Sequence, residues 1–346
     1  MTKTTSRSPP ETEIPSEEEQ TPETPEETPQ EPETPEVIPK ALSQIQAAPV
    51  AQAEEHTHDL CGATHKDVSD HTEKDVTFIE WTDELAAEQW KDEDENIVYT
   101  ASNSLPKESG NYYLTKDVTL SRRVFKYWTP ASNTKLCLNG RTITGVDEYL
   151  GYTYEVIYVT QGVTFALTDC QGTGKLTHNS GTWGSGVNVS GNFSMYGGNI
   201  SGNAAAYSAG GVTVYSKGKF SMYGGKISEN TEVETRDGCS GVRVKENGTF
   251  NFYDGEITQN QSYEKHGAVY NEGTVNMTGG HIDNNKCTQY GGGGGVVNWG
   301  TFTMSGGTIC NNEYAGTIYT KTYGGITNYG TLNLSGDIEI IGNHYK

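Results

Sequence analysis

No proline follows Pro130 in this chain of 346 residues, and only one glycine, Gly62, precedes Gly110. Ten of the 12 prolines lie at or before Pro49. The chain also lacks any stretch that approaches the roughly 18 apolar residues of a membrane-spanning helix. The sequence therefore predicts no membrane span, and it predicts segments of different physical character within one chain.

Basic residues are scarce, with 24 Lys and Arg against 45 Asp and Glu and a formal net charge of −21. Residues 1–55 hold 13 acidic and 3 basic side chains, and residues 56–109 hold 14 and 4. Subtraction leaves 18 acidic and 17 basic side chains in residues 110–346, which are nearly neutral. Neither part has the clustered basic surface that binds a phosphate backbone, so we expect no nucleic-acid partner.

The first 55 residues are of low complexity and rich in Pro, Glu and Thr. Such a segment cannot bury enough apolar surface to offset the entropy lost on ordering. This composition predicts a disordered, extended stalk over residues 1–55. The Ala51-Gln-Ala53 triplet is similar to a leader cleavage site, but the segment before it is polar and contains Pro49, so no export signal is predicted.

A repeat occupies most of the remaining chain. One unit reads Gly-x-Phe193-x-Met195-Tyr-Gly-Gly-x-Ile200-x-x-Asn203. The position of Phe193 recurs at Phe220, Phe250, Val275, Phe302 and Leu332. The successive steps are 27, 30, 25, 27 and 30 residues. A period of this length, with alternating apolar residues and Gly/Asn turns, is typical of a solenoid.

Each unit contains short alternating segments such as Val212-x-Val214 and Phe220-x-Met222, whose apolar side chains lie on one face of a strand. A helical alternative fails because the Gly-Gly pair would cost about 1 kcal/mol per Gly in a helix. We therefore predict an all-β fold, a right-handed parallel β-helix with three strands per coil and about seven coils, over residues 110–346. Residues 56–109 are predicted to be a His/Cys motif and a capping segment.

Identical residues at equivalent positions predict continuous columns, because strands of neighbouring coils lie about 4.8 Å apart. The predicted internal methionine column contains Met195, Met222, Met277 and Met304. Two predicted asparagine columns contain Asn203, Asn230, Asn260, Asn285 and Asn312, and Asn271, Asn298 and Asn328. Asn tolerates the left-handed turn conformation, and stacked amides hydrogen-bond along a column.

The segments before the repeat are predicted to cover the N-terminal edge of the solenoid. Thr82–Trp90 reads as a short helix capped by Thr82, with acidic residues in its first turn. Residues 110–120 and 134–145 read as strands. At the other end no cap is visible before Lys346, so we expect end-to-end self-association through the last coil.

Histidine and cysteine cluster at the start of the capping segment. Five residues with N or S ligand atoms, His56, His58, Cys61, His65 and His71, lie within 16 positions. Zn²⁺ binds four such ligands tetrahedrally, and a segment without a core gains most from a metal. The sequence predicts a structural zinc site drawn from these five residues. A solvated linker is the alternative, because the spacing matches no standard zinc finger.

The other five cysteines, Cys137, Cys170, Cys239, Cys287 and Cys310, are spread singly through the solenoid. They are predicted to be isolated thiols in apolar columns. A disulfide between Cys287 and Cys310 is the alternative, since both flank the asparagine column in successive coils.

Several motifs in order, among them His56-x-His58-x-x-Cys61-Gly-x-x-His65, the segment 110–120 and the Met-Tyr-Gly-Gly-x-Ile units, carry a resemblance to a family. The chain resembles the large parallel β-helix surface and secreted proteins of gut Gram-positive bacteria over about residues 56–343. The resemblance implies the pectin-lyase-like solenoid, an extracellular or cell-surface location, and an adhesin-like or glycan-contacting role. The chain departs from the family layout because it shows no leader and no sorting signal.

Catalysis was tested on the same pattern, since some enzymes with this fold cleave polysaccharides. A lyase needs a base beside clustered carboxylates, and a hydrolase needs two carboxylates about 5–9 Å apart. Only Arg243, with Lys245, offers a base among the outward positions of the first strand in each unit. The nearest acids are Asp237, Glu246, Asp254 and Glu256. No catalytic residue is assigned, and a lyase or hydrolase stays the alternative function.

Tyrosines give the predicted binding site. Tyr196, Tyr223 and Tyr253 share one repeat position in three successive units. If they stand outward they form a flat surface for stacking on sugar rings or on a protein; otherwise they stabilise neighbouring coils. With Arg243 they are the predicted ligand-binding residues. The sequence thus favours a non-enzymatic adhesion or recognition module, whose partner is a host or bacterial surface glycan or protein.

Overall fold

The computed structural model describes residues 55–60, 73–89, 100–121, 126–146, 154–179, 182–233, 238–263, 266–289, 292–316 and 324–345. The chain divides into two units, residues 1–50 and 51–346. All described residues belong to the second unit, so the predicted stalk lies outside them. The described residues form a parallel β-solenoid of about eight stacked coils, as the repeat predicted.

The first face of the solenoid, here called the valine sheet, is a seven-stranded parallel sheet. Each strand is three residues long, and in the repeated units its first and third residues are inward-facing valines or their equivalents. Its strands are Ile157–Val159, Val187–Val189, Val212–Val214, Val242–Val244, Val269–Asn271, Val296–Asn298 and Ile326–Asn328. Their registers align the same repeat position from coil to coil.

The second face, the phenylalanine sheet, begins earlier in the chain than the valine sheet. Its strands are Glu73–Glu80, Asn111–Tyr113, Thr134–Cys137, Thr164–Thr168, Asn192–Met195, Lys219–Met222, Thr249–Phe252, Thr274–Met277, Thr301–Cys310 and Thr331–Ile341. All neighbours in this series pair in parallel. One further strand, Glu55–Leu60, pairs antiparallel with Glu73–Glu80 and completes a hairpin.

The third face, the isoleucine sheet, contains Val118–Thr119, Thr142–Thr144, Lys175–Thr177, Asn199–Ser201, Lys226–Ser228, Glu256–Thr258 and His281–Asp283. It continues through the second halves of Thr301–Cys310 and Thr331–Ile341. A fourth row of two-residue strands contains Ala204–Ala205, Thr231–Glu232, Gln261–Ser262, Lys286–Cys287, Glu313–Tyr314 and His344–Tyr345. Three longer strands and one short strand therefore make up a full coil.

Identical side chains meet their equivalents inside this tube. Phe165, Phe193, Phe220 and Phe250 stack in sequence, with ring centroids 5.7, 5.1 and 4.8 Å apart. The four methionines of the predicted column are fully buried, and Phe252 takes the same position in the coil between Met222 and Met277. The predicted methionine column is confirmed.

Asparagine ladders run alongside the apolar core. In the first ladder each Nδ2 donates to the Oδ1 of the next coil, at 3.0 Å from Asn203 to Asn230 and 2.9 Å from Asn312 to Asn343. The Nδ2 of Asn271 and that of Asn298 donate in the same way along the second ladder, at 2.7 Å each. Both predicted columns are confirmed, and Asn343 extends the first by one coil.

The left-handed turn conformation belongs to the residue before each ladder asparagine, which differs from the prediction. Glu229 and Gln259 have φ values of 57° and precede Asn230 and Asn260. Asn230 and Asn260 themselves do not have positive φ values. The ladder asparagine instead turns inward, where its amide donates to a buried carbonyl, as from Asn260 Nδ2 to Ile227 O at 2.8 Å.

Two buried tryptophans fix the N-terminal coils. Trp81 Nε1 donates to Ser104 O at 3.0 Å, and Trp128 Nε1 donates to Pro106 O at 2.8 Å. The predicted helix forms as Asp83–Gln89. Its cap is also confirmed, since the Leu85 amide donates to the Thr82 hydroxyl at 3.3 Å.

The predicted strands before the repeat form, but they do not lie across the end of the solenoid. Residues 111–113 and 134–137 pair in register with the following coils as members of the phenylalanine sheet. The edge is formed instead by Glu73–Glu80, which Glu55–Leu60 covers by antiparallel pairing. In the last described coil Leu334, Ile340 and Ile341 are 46, 42 and 65% exposed.

Candidate functional site

The outer face of the valine sheet displays one side chain per coil. Because alternate residues of a strand point to opposite faces, the middle residue of each three-residue strand points outward. These residues are Tyr158, Asn188, Thr213, Arg243, Tyr270, Val297 and Thr327. The sequence predicted this row from Asn188 onward, and Tyr158 extends it by one coil.

Arg243 is held by the next coil. Its Nε and Nη2 lie 3.2 and 3.0 Å from Glu272 Oε2, and its guanidinium lies 5.2 Å from the ring centroid of Tyr270. The side chain of Arg243 is only 10% exposed. A guanidinium that is paired and stacked in this way positions neighbouring groups and is poorly suited to act as a base.

The acids that the sequence placed nearest to Arg243 do not converge on it. Glu256 lies on the isoleucine sheet and forms an ion pair with Lys226 at 2.8 Å. Asp254 accepts a hydrogen bond from the amide of Gly255. Asp237 lies outside the described residues, and Glu246 is exposed in the turn after the valine strand. Glu272, which the sequence analysis passed over, supplies the carboxylate.

Glu155 is a second carboxyl group on this face that the sequence analysis missed. Burial raises its pKa, while hydrogen bonds from its own amide and from Asn188 oppose that rise. Burial also raises the pKa of Tyr215, and the charge of Glu155 adds to the effect. Glu155 precedes the strand Ile157–Val159, where the repeat is too weak to assign a position to each residue.

Aromatic rings continue along the edge of the same face. Lys245 Nζ lies 4.6 Å from the ring centroid of Tyr215, which follows the strand Val212–Val214. Trp299 and Tyr329 follow their own valine strands and stack at 4.3 Å between centroids. Trp299 is 55% exposed and Tyr329 is 53% exposed. Together with the two tyrosines of the outward row, these residues form the aromatic stripe: Tyr158, Tyr215, Tyr270, Trp299 and Tyr329.

The tyrosines predicted to bind ligand lie on the phenylalanine side of the coil. Tyr196, Tyr223 and Tyr253 stack face to face, with centroids 4.9 and 4.7 Å apart and interplanar angles of 15° and 1°. Tyr223, between the other two, is only 6% exposed. The ring faces that would stack on a sugar are therefore covered by neighbouring rings, which favours a role in joining the coils.

Two of the five predicted metal ligands meet two cysteines from distant coils. The ligand atoms of His56, His58, Cys137 and Cys170 all lie within 4.8 Å of one another. The other three predicted ligands, Cys61, His65 and His71, lie outside the described residues. The sequence therefore located half of this cluster and could not find the rest, because the cysteines follow at more than 75 positions along the chain.

Cys137 and Cys170 correct the prediction of isolated thiols, since their Sγ atoms are 3.5 Å apart. Cys137 is buried, and burial raises its pKa to about 12, whereas Cys170 is exposed. Among the described residues Cys239, Cys287 and Cys310 are free thiols, as predicted. Cys287 and Cys310 belong to different rows of strands, so the alternative disulfide between them is absent.

Comparison of the chain with protein-family models, with curated proteins and with solved structures gives no match. The class that the fold defines is a parallel β-solenoid, and the family suggested by the sequence resemblance stays a prediction. Within the described residues no helix is long and apolar enough to cross a membrane.

Proposed function

We propose that this protein is a non-enzymatic recognition module of the cell surface or the extracellular space, and that its aromatic stripe contacts a glycan. The observation that carries the proposal is the exposed pair Trp299 and Tyr329, whose stacked rings lie more than half uncovered at one edge of the valine sheet. Exposed aromatic side chains of this size supply large, rigid contact area at low entropic cost.

The spacing of the stripe suits a linear polymer. Its residues are carried by strands of the seven-stranded valine sheet, which spans roughly 28 Å at about 4.7 Å between strands. Parallel β-strands hold the rings at fixed positions, so little ordering entropy is lost when a ligand binds. An extended ligand that runs along the solenoid would meet several rings in succession.

Polar groups beside the rings offer partners for hydroxyl groups. The Glu272 carboxylate is about one third exposed while it holds Arg243, which leaves acceptor capacity toward solvent. Thr213 and Thr327 lie in the same outward row. A few fixed polar groups among apolar rings are what orients a small neutral ligand.

The arrangement of charged groups supports binding over cleavage. A hydrolase needs one carboxyl group as acid and a second as base or nucleophile. Glu272 is committed to Arg243, while the raised pKa of Glu155 would suit only the acid. A polysaccharide lyase or hydrolase is therefore the second candidate, and Glu155 is the residue that it would use.

A glycan array probed with the full chain tests the proposal. We expect retention of the wild-type chain on a subset of glycans and loss of retention in the double variant Trp299→Ala/Tyr329→Ala. The matched control is Tyr207→Ala, since Tyr207 is 59% exposed and lies outside the stripe. Equal binding by all three chains would contradict the proposal.

Product analysis on the same glycans separates the two functions. Release of shortened or unsaturated products that stops in Glu155→Gln would replace the binding module with an enzyme. The expected result is retention without products. Fractionation of the source cells tests the location, with the chain expected at the surface or in the medium. End-to-end association through the last coil stays a prediction, which sedimentation at rising concentration would test.

A further inference from the structure

We propose that His56, His58, Cys137 and Cys170 form a structural zinc site that attaches the N-terminal hairpin to the first coils of the solenoid. The four ligand atoms lie within 4.8 Å of one another. For Zn–N of about 2.0 Å and Zn–S of about 2.3 Å, tetrahedral ligand atoms stand roughly 3.3–3.8 Å apart. The 3.5 Å between the two sulfurs falls within this range.

The hairpin aims both histidines at one point. His56 and His58 lie two residues apart on the strand Glu55–Leu60, so their rings project from the same face. His58 stacks on Phe78 at 4.5 Å and 6°, and His56 lies 3.8 Å from the ring centroid of Tyr113. These contacts limit the rotation of both imidazoles.

The cysteines come from two successive coils. Cys137 ends the strand Thr134–Cys137 and pairs in register with Thr168 of the next coil. Cys170 follows in the turn after that strand, and the neighbouring Asp169 carboxylate accepts hydrogen bonds from the amides of Gly140 and Gly174. The carboxylate thus fixes the turn that brings Cys170 to Cys137.

The imidazole nitrogens that face the cluster need a partner. Within the described residues, Nε2 of His56 and Nε2 of His58 are buried and have no hydrogen-bond partner. His58 Nδ1 lies 3.1 Å from the carbonyl of Asp59, which can only accept, so Nδ1 carries the proton. That tautomer leaves a lone pair on Nε2, which is the form of histidine that binds a metal.

The donor set selects the metal and its role. Two imidazoles and two thiolates form the tetrahedral N₂S₂ set that favours Zn²⁺, and four protein ligands leave no open position for a reacting water. A disulfide between Cys137 and Cys170 is the competing arrangement, particularly outside the cell. It would leave the two buried Nε2 atoms without a partner, which costs about 1–3 kcal/mol each.

A zinc ion here would join segments more than 75 residues apart. It would hold Glu55–Leu60 across the outer side of Glu73–Glu80, the first strand of the phenylalanine sheet. The site therefore has a structural purpose that does not depend on the proposed glycan binding.

Elemental analysis of the full chain, purified without chelator, tests the site. We expect about one zinc per chain, and at least about tenfold less in Cys170→Ser, since a lost ligand weakens a site more than a lost outer partner does. Cys170 is exposed, so this variant can fold. Cys310→Ser is the matched control and should keep its zinc.

Cobalt substitution supplies a second readout. Co²⁺ in the wild-type chain should give the visible bands of a tetrahedral site together with thiolate charge transfer, and both should vanish in Cys170→Ser. Zinc that is retained in Cys170→Ser but lost in Cys61→Ser would overturn the proposal in favour of a site within residues 56–71. A metal-free chain with a Cys137–Cys170 disulfide in its peptide map would overturn it as well.

Discussion

The repeated coils after Gly186 and the coils before them have the same strand geometry but are stabilised differently. In the later coils, one phenylalanine, one isoleucine and one asparagine position recur and meet their equivalents in register. In the earlier coils, single contacts take their place: Trp81, Trp128 and the hairpin with its His/Cys cluster. Regular stacking thus needs only repetition, whereas the start of the solenoid needs contacts that occur once.

The largest expected effect comes from breaking the phenylalanine stack. Phe220→Ala removes a fully buried ring between Phe193 and Phe250 and should lower the free energy of unfolding by about 3–5 kcal/mol. Urea unfolding followed by circular dichroism measures the change. The exposed Tyr207→Ala is the control, and a similar loss in both variants would contradict the role given to the column.

Removal of metal should affect only the earlier coils. With excess chelator, we expect amide exchange in Glu55–Leu60 and Glu73–Glu80 to accelerate about 100-fold, which corresponds to about 2.7 kcal/mol of local stability. Exchange in Lys219–Met222 should not change. Hydrogen exchange followed by mass spectrometry measures both regions, and uniform acceleration would argue against a local site.

Breaking the asparagine ladder in its middle should cost about 2–3 kcal/mol. Asn260→Ala deprives Asn230 of the oxygen that accepts from its Nδ2 at 3.0 Å and leaves the Ile227 carbonyl without its donor. Asn343→Ala, at the partly exposed end of the ladder, should cost less. Thermal unfolding of both variants measures the difference, and equal losses would mean that the ladder does not act through buried hydrogen bonds.

Removal of the charge that holds Glu272 should have a smaller effect. Arg243→Met leaves the carboxylate without its partner, and we expect a loss of about 1–2 kcal/mol in the free energy of unfolding. The value lies below that of a fully buried pair because solvent reaches about one third of the Glu272 side chain. Glu272→Gln in the Arg243→Met background should recover part of the loss, as urea unfolding would show.

The smallest effect concerns Glu155, whose pKa is raised by burial. Because a raised native pKa disfavours the ionised carboxylate, this group lowers stability above its native pKa, and the penalty disappears as the pH falls to the unfolded value of 4.5. Glu155→Gln should therefore raise the melting temperature slightly at pH 7 and leave it unchanged at pH 4. A decrease at pH 7 would show that the charge is stabilised instead.

Much of the fold is predictable from the sequence because a solenoid repeats its own core. The positions of Met195, Ile200 and Asn203 recur at fixed offsets, and in-register stacking is the arrangement that buries each of them against its equivalents. The first coils escaped this reasoning because residues 111–137 carry no repeat, so they were interpreted as a cover rather than as coils.

The candidate sites were only partly predictable for the same reason. Repeat phase indicates which side a residue faces, and it correctly placed Arg243 in the outward row. It does not indicate that Tyr196, Tyr223 and Tyr253 cover one another's faces, which depends on ring rotation. Nor does it indicate that a hairpin carries His56 to Cys137, since that contact joins segments without any shared period.

The asparagine ladder has a consequence for how such a chain grows. Every rung presents the same donor on one side and the same acceptor on the other, as between Asn230, Asn260 and Asn285. Duplicating a whole segment of 25–30 residues would create junctions that already match, so lengthening requires no new interface. Reach, rather than fold, is then the property that tandem duplication can adjust.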